Sequence, residues 1–213
     1  MSTSSDARDL YRAGGKRTLD LVGAGLALPV LGVASLVVAP LIKLEDRGPV
    51  LYASRRRGRG GREFTMYKFR TMHVAAPDLR NPDRSTFNAT DDLRVTRVGR
   101  FLREASVDEL PQLLNVLRGD MSLVGPRPNL ATSPLESLTP LERKRITVAP
   151  GITGYSQAYY RNSIPTVEKY AHDAHYVGRL SLRLDVQIML RTITSVLRRR
   201  GVYGTEDRDV GPV

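Results

Sequence analysis

The chain has no cysteine, no tryptophan and only three histidines. Without cysteine there is no disulfide framework and no thiolate chemistry, as suits a protein of the reducing cytosol. The scarce histidines include one pair at helical spacing, His172-x-x-His175. Two ligands without a third nearby make a poor metal site, so a helix surface is the preferred reading. Acidic residues are in deficit: 33 Lys+Arg stand against 22 Asp+Glu, a net charge of +11. That balance asks for an anionic partner, and nucleic acid, a membrane surface or phosphorylated small molecules all qualify. At 213 residues the chain can build one substantial domain, with or without an appendage. No internal repeat is visible.

Charge is missing altogether from residues 21–42, LVGAGLALPVLGVASLVVAPLI. A straight helix of that length reaches about 33 Å, enough to cross a bilayer. The run is too long for a signal-peptide core, and the basic KLEDRGP follows where a cleavage site should stand. Pro29 interrupts it and removes a helical hydrogen bond. Arg8, Arg12, Lys16 and Arg17 precede the run; Lys43, Arg47, Arg55, Arg56, Arg57, Arg59 and Arg62 follow. Cations on both flanks favour the same side of the membrane for both ends, which a re-entrant helix satisfies and a simple span does not. Proline and glycine are also common in spanning helices, so a single-span anchor stays open on these residues alone.

Residues 50–72 predict a β-hairpin: PVLYA and EFTMYKFRTM are strand-like, and RRRGRGGR between them is a glycine-rich turn. Lys68 and Arg70, two apart, share a strand face and could grip a diphosphate or form a solvated edge. The arginine-rich turn looks like a nucleic-acid patch, but beside a membrane segment anionic lipid headgroups explain it more economically. Residues 75–92 are polar and proline-punctuated, hence a loop. They include the sequon Asn88-Ala89-Thr90, with nothing else to suggest a secreted domain. A helix is expected around VGRFLRE. Thr139-Pro140-Leu141-Glu142 has the form of a capping box opening a helix to about Val148, stopped by Pro150 and Gly151. A last amphipathic helix spans 182–200, ending in Arg198, Arg199 and Arg200 before Gly201.

The densest chemistry lies in ASVDELPQLLNVLRGDMSLVGPRP, residues 105–128. Ser106-x-x-Glu109 could be a capping box, in which case the acidic pair only starts a helix. Pro111 argues against that frame, because it would fall at the fifth helical position and cost a bond. With Asp108 as N-cap, Pro111 costs nothing and both carboxylates stand at the lip of a helix. A carboxylate there can be nucleophile, base or magnesium ligand. A nucleophilic aspartate needs its anionic electrophile neutralised by Mg²⁺ and arginines. Arg127, stiffened by Pro126 and Pro128, suits bidentate phosphate binding. Lys68, Arg70, Arg103 and Arg161 are further phosphate candidates, each with a solvated-surface alternative.

MYKFRTM, SVDELPQLLNVLRGDMSLVGPRP and APGITG, preceded by KRTLD and the proline-broken apolar run, resemble the bacterial sugar transferases, the monotopic phosphoglycosyl transferases. The resemblance covers about residues 15–201, in the size of the minimal catalytic form. It implies an α+β, mostly helical fold. A flexible N-terminus (1–15) would precede a re-entrant membrane helix (16–44) turning at Pro29. A catalytic domain (45–201), with a small β-hairpin and amphipathic interfacial helices around the active site, and a tail (202–213) would follow. It implies transfer of a sugar 1-phosphate from a nucleotide-diphosphate sugar, a UDP-sugar by preference, to a polyprenyl phosphate. The reaction would release the nucleoside monophosphate and initiate surface glycan assembly at the cytoplasmic face of the inner membrane. Asp108 would be the nucleophile that forms a covalent phosphosugar and the Mg²⁺ ligand. Glu109 would assist, and Gln157 and Arg161 would touch the donor. The partners implied are the donor, the lipid phosphate and membrane lipids, with no nucleic acid.

Two departures stand out. The helix break is often Ser-Pro in relatives and is Leu28-Pro29 here. The stretch after APGITG often reads Trp-x-Gln-Val-Asn-Gly-Arg and is YSQAYYRN here, keeping Gln157 and Arg161 but placing Tyr159-Tyr160 where Asn-Gly is usual. The rival classes are a membrane-tethered nucleic-acid binder motivated by the charge, and a single-span membrane protein with a structural cytosolic domain. Within the enzyme class, direct ternary transfer competes with the two-step route.

Overall fold

The computed structural model describes residues 3–79, 92–160 and 163–197. The chain opens with α1 (Thr3–Leu10), which passes through one π-helical turn at Tyr11–Gly15 into α2 (Lys16–Asp46). The expected flexible N-terminus is therefore helical from Thr3, and Tyr11 is buried, its hydroxyl donating to Asp185 Oδ2 at 2.6 Å. The membrane helix ends at Asp46 rather than 44, where Arg47 turns left-handed (φ 57°) and returns its N–H to the Lys43 carbonyl.

From Asp6 to Asp46 the helix is long and apolar enough to cross a membrane. It is assigned helical straight through Pro29 and Pro40, so a hairpin of two separate arms is not seen at Pro29. Ala24, Leu31, Val38 and Ile42 form its buried stripe, seven, seven and four residues apart, against Phe64, Phe69, Leu102 and Val116. The opposite side, Leu26, Val30, Val33, Leu36, Val37 and Leu41, is exposed. Both ends are tied to the same body. Arg17 donates to the Val116 and Leu117 carbonyls at 2.5 and 2.9 Å. At the far end Glu45 accepts from the backbone of Arg97 and Val98, and Asp46 pairs with Arg70.

The predicted hairpin is present as antiparallel β1 (Leu51–Arg57) and β2 (Glu63–Phe69). After it come α3 (Arg97–Glu104), α4 (Gln112–Arg118), β3 (Ser122–Val124), α5 (Pro140–Arg145), β4 (Gly151–Thr153), α6 (Tyr155–Tyr159), α7 (Thr166–Arg179) and α8 (Leu182–Leu197). The protein is mostly helical with small sheets. Thr139 and Glu142 make the expected capping box, although α5 stops at Arg145. The parallel β3–β4 pair had no sequence signal, being three residues a side. Its close approach depends on glycine: a Cβ on Gly151 would lie 2.1 Å from Gly125 N, and one on Gly154 2.2 Å from Gly125 O. A second core gathers Tyr11, Val124, Tyr176, Leu180 and Ile188. The sequon at Asn88, most of the 75–92 loop, Arg198 to Arg200 and the 202–213 tail lie outside the described residues.

Candidate active site

Neither capping frame holds for the acidic pair. Ser106 adopts φ 55° with no side-chain cap, Val107–Glu109 form a 3₁₀ turn, and α4 begins only at Gln112 with Pro111 as its N-cap. Proline has no N–H to lose there, so the tight turn runs through Leu110 and Pro111 into the helix without breaking a bond. The left-handed Ser106 reverses the chain after α3, and the turn packs between α3 and β2. Asn115, fully buried on α4, locks that geometry. It accepts from Tyr67 N at 3.1 Å and donates to the Thr65 carbonyl at 2.7 Å, stitching α4 to β2.

This packing brings Lys68 of β2 against the pair. Its ammonium lies 2.5 Å from Glu109 Oε1 and 3.7 Å from Asp108 Oδ2. Arg127, after β3 and half exposed, approaches Glu109 Oε1 at 3.4 Å. The two carboxylates are then unequal. Glu109 accepts from both cations. Asp108 is 8% exposed and accepts no hydrogen bond among the described residues, although its oxygens are not sealed from solvent. Burial pushes Glu109 up, but Lys68 and Arg127 override it and hold it down at about 2. Burial pushes Asp108 above the usual carboxylate range, with Lys68 opposing and the Glu109 charge adding to the rise. Glu109 is thus a fixed anion that holds two cations in place, while Asp108 keeps its lone pairs.

A recess beside Glu109 is lined by Lys68, Glu109, Gln112, Arg127 and Arg56; Asp108 is next to it in the chain but does not line it. Sequence reasoning missed Arg56 and Gln112. Strand alternation from Lys68 across the β1–β2 register (Arg56 opposite Phe64) offered the only hint of Arg56. Other expected residues are elsewhere. Arg70 lies beyond the end of β2 and is held by Asp46 and by the Pro49 and Met72 carbonyls, so it does not share Lys68's surroundings. Arg103 donates Nε to Thr71 at 3.0 Å and lies near enough for its charge to act on Asp108. Gln157 donates Nε2 to Ile152 O, and its buried Oε1 has no partner among the described residues. Arg161 lies outside the described residues. Pro29 is on the exposed side of α2. His172 stacks on Tyr160 at 4.3 Å, within a run of rings that includes Tyr155 and Tyr159.

Mg²⁺ takes one or two carboxylates and completes its shell with water and substrate phosphate oxygens. Asp108, with unclaimed oxygens, fits that donor set; Glu109, already holding two cations, fits it less well. Among the described residues no group of three or more His, Asp or Glu could cage a metal alone.

The family model of the bacterial sugar transferases matches residues 11–199. A UDP-glucose:undecaprenyl-phosphate glucose-1-phosphate transferase of Caulobacter vibrioides is 44% identical over 195 residues, covering 88% of this chain and 72% of the relative. A UDP-N-acetylgalactosamine-undecaprenyl-phosphate N-acetylgalactosaminephosphotransferase of Aeromonas hydrophila is 41% identical over 189 residues, 85% of this chain. This chain spans only 43% of that relative's length. The exopolysaccharide production protein ExoY of Sinorhizobium fredii is 40% identical, with 88% of each chain covered. The chain belongs to the bacterial sugar transferase family.

Proposed function

We propose that this protein transfers a sugar 1-phosphate from a nucleotide-diphosphate sugar, a UDP-sugar by likeness to its relatives, to a polyprenyl phosphate. The observation that carries the reading is the asymmetry of the pair. Asp108 is a buried carboxylate with no donor on its oxygens among the described residues, beside two cations that a second carboxylate holds in place. A carboxylate serving only the fold would have its oxygens bonded.

In the first step an Asp108 oxygen attacks the β-phosphorus and the bond to the α-phosphate oxygen breaks. The nucleoside monophosphate leaves and the phosphosugar stays on Asp108 as an acyl phosphate. In the second, an oxygen of the polyprenyl phosphate attacks the same phosphorus and the Asp108 carboxylate departs. Lys68 and Arg127 neutralise the phosphoryl oxygens in both steps, and Glu109 keeps those cations aimed. Mg²⁺ held by Asp108 would supply charge neutralisation on the diphosphate. Nothing in the site provides a separate base, and none is required, because both nucleophiles are already anions.

The acceptor's phosphate stands at the bilayer surface, so the site must work at that depth. The reading is of a monotopic protein on the cytoplasmic face of the inner membrane, with the exposed side of α2 in the lipid and both its ends on the same face. Attachment of α2 to one body at both Arg17 and Asp46 supports keeping both ends on the same side of the membrane. The exposed leucines and valines of α2, with Leu182, Val186, Leu190 and Ile193 of α8, supply the apolar surface. The test is turnover of a panel of nucleotide sugars by purified protein with a polyprenyl phosphate. Release of nucleoside monophosphate that requires Asp108 is the expected result; indifference to Asp108→Asn would overturn the reading. Salt-sensitive nucleic-acid affinity that survives this substitution would favour the binder instead.

A further inference from the structure

Arg57, the last residue of β1, is 5% exposed, yet among the described residues no carboxylate stands within 4 Å of it. Among the described residues its guanidinium makes one hydrogen bond, from Nη2 to the Ser133 carbonyl, and its buried Nε has no partner. Glu63, opposite in register, turns to Arg55 at 3.4 Å, and Asp173, across the recess wall formed by Arg145, holds Arg145 at 3.1 Å. A buried cation without an ion-pair partner is costly, and among the described residues Arg57 has none within 4 Å. Water would satisfy Nε but not the charge.

Arg57 lines a second recess with Arg127, Pro128, Asn129 and Arg145. That recess shares Arg127 and Pro128 with the one beside Glu109, so the two adjoin at the Pro126–Pro128 segment. Arg145 is neutralised by Asp173 and donates to Asn129 and to the Arg127 carbonyl, which stiffens the recess wall. The charge left over belongs to Arg57.

We propose that Arg57 and this recess bind a phosphate monoester dianion, a site separate from the nucleophile's own cations. The fork of a guanidinium matches phosphate oxygens, and an ionised acceptor is what an uncompensated arginine lacks. The inference rests on the transfer reading for the identity of the occupant: the nucleoside monophosphate that leaves when Asp108 attacks. The two fail separately. Absence of label on Asp108 would defeat the transfer reading, whereas the present claim is decided by equilibrium binding without turnover.

The experiment titrates UMP, inorganic phosphate and farnesyl phosphate into detergent-solubilised wild type, Arg57→Met, Arg57→Lys and Asp108→Asn at constant ionic strength. UMP affinity should fall about tenfold to a hundredfold in R57M, the range of a lost charged hydrogen bond. It should fall less in R57K and not at all in D108N. The ligand-free melting temperature of R57M should equal or exceed that of wild type, since the variant removes an uncompensated charge; a purely structural arginine would lower it. Equal loss for inorganic phosphate assigns the site to the phosphate group alone, and loss confined to farnesyl phosphate assigns it to the lipid phosphate. Both outcomes keep the anion site. UMP, phosphate and farnesyl phosphate binding R57M as tightly as wild type, or none of them binding wild type, would overturn it. Should R57M not fold, the same comparison is made on R57K.

Discussion

Two buried aspartates in this protein have opposite fates. Asp185, fully buried on α8, accepts from Tyr11 at 2.6 Å, Lys16 at 2.6 Å and Tyr176 at 2.7 Å. Its donors come from the π turn, α2 and α7, so one carboxylate knots three parts of the chain. Asp108 is almost as buried and, among the described residues, accepts no hydrogen bond, with the Lys68 ammonium 3.7 Å away. Satisfied lone pairs make Asp185 inert and structural. Unsatisfied lone pairs beside cations make Asp108 available to phosphorus or to a metal. Burial alone therefore says little about a carboxylate; what occupies its oxygens says much more.

The largest effect that would sharpen the contrast is chemical. Asp108→Asn should lower kcat by 10³-fold or more with the fold intact, measured as nucleoside monophosphate release alongside circular dichroism. Asp185→Ala should do the reverse. It should cost about 3–5 kcal/mol in denaturant unfolding by leaving Lys16 buried and unpaired, while molecules that stay folded keep most of their kcat. A comparable loss of kcat in both variants would erase the distinction.

Smaller effects separate the two members of the pair. Glu109→Gln should lower kcat/KM by about a hundredfold, because Lys68 and Arg127 lose the anion that aims them. The pH profile supplies the sign. Burial and the Glu109 charge both raise Asp108, so activity should fall on the acid side at a pH above the ordinary carboxylate range. Removing the Glu109 charge should move that acid limb lower, and Lys68→Met, which removes an opposing charge, should move it higher. A limb that stays put in both variants would mean that Asp108 does not control it. On the membrane side, Leu36→Arg on the exposed side of α2 should weaken membrane retention by about 2.5–3.5 kcal/mol, read by flotation with liposomes.

Much of the site was legible because it is local in sequence. Asp108, Glu109 and Arg127 sit within one 24-residue stretch, and Lys68 was placed by strand alternation. The apolar helix and the hairpin announced themselves by uncharged length and by β-formers around a glycine turn. What stayed hidden depended on distant partners. Nothing near Arg70 betrays that Asp46, 24 residues earlier, holds it. The 3₁₀ turn at Val107–Glu109 depends on a left-handed Ser106, a conformation serine seldom signals. Asn115 reads as an ordinary helical residue until its amide is seen to close on β2. Burial of Tyr11 and the knot at Asp185 span more than 170 residues, and no local pattern encodes such a contact.

The most direct measurement supplies purified protein with donor labelled in the sugar phosphate and Mg²⁺, withholds the polyprenyl phosphate, and maps the label by peptide mass spectrometry. Label should accumulate in a peptide containing Asp108, be absent from D108N, and discharge when the lipid phosphate is added. Full turnover of the complete system without labelled protein at any time would contradict the covalent role of Asp108.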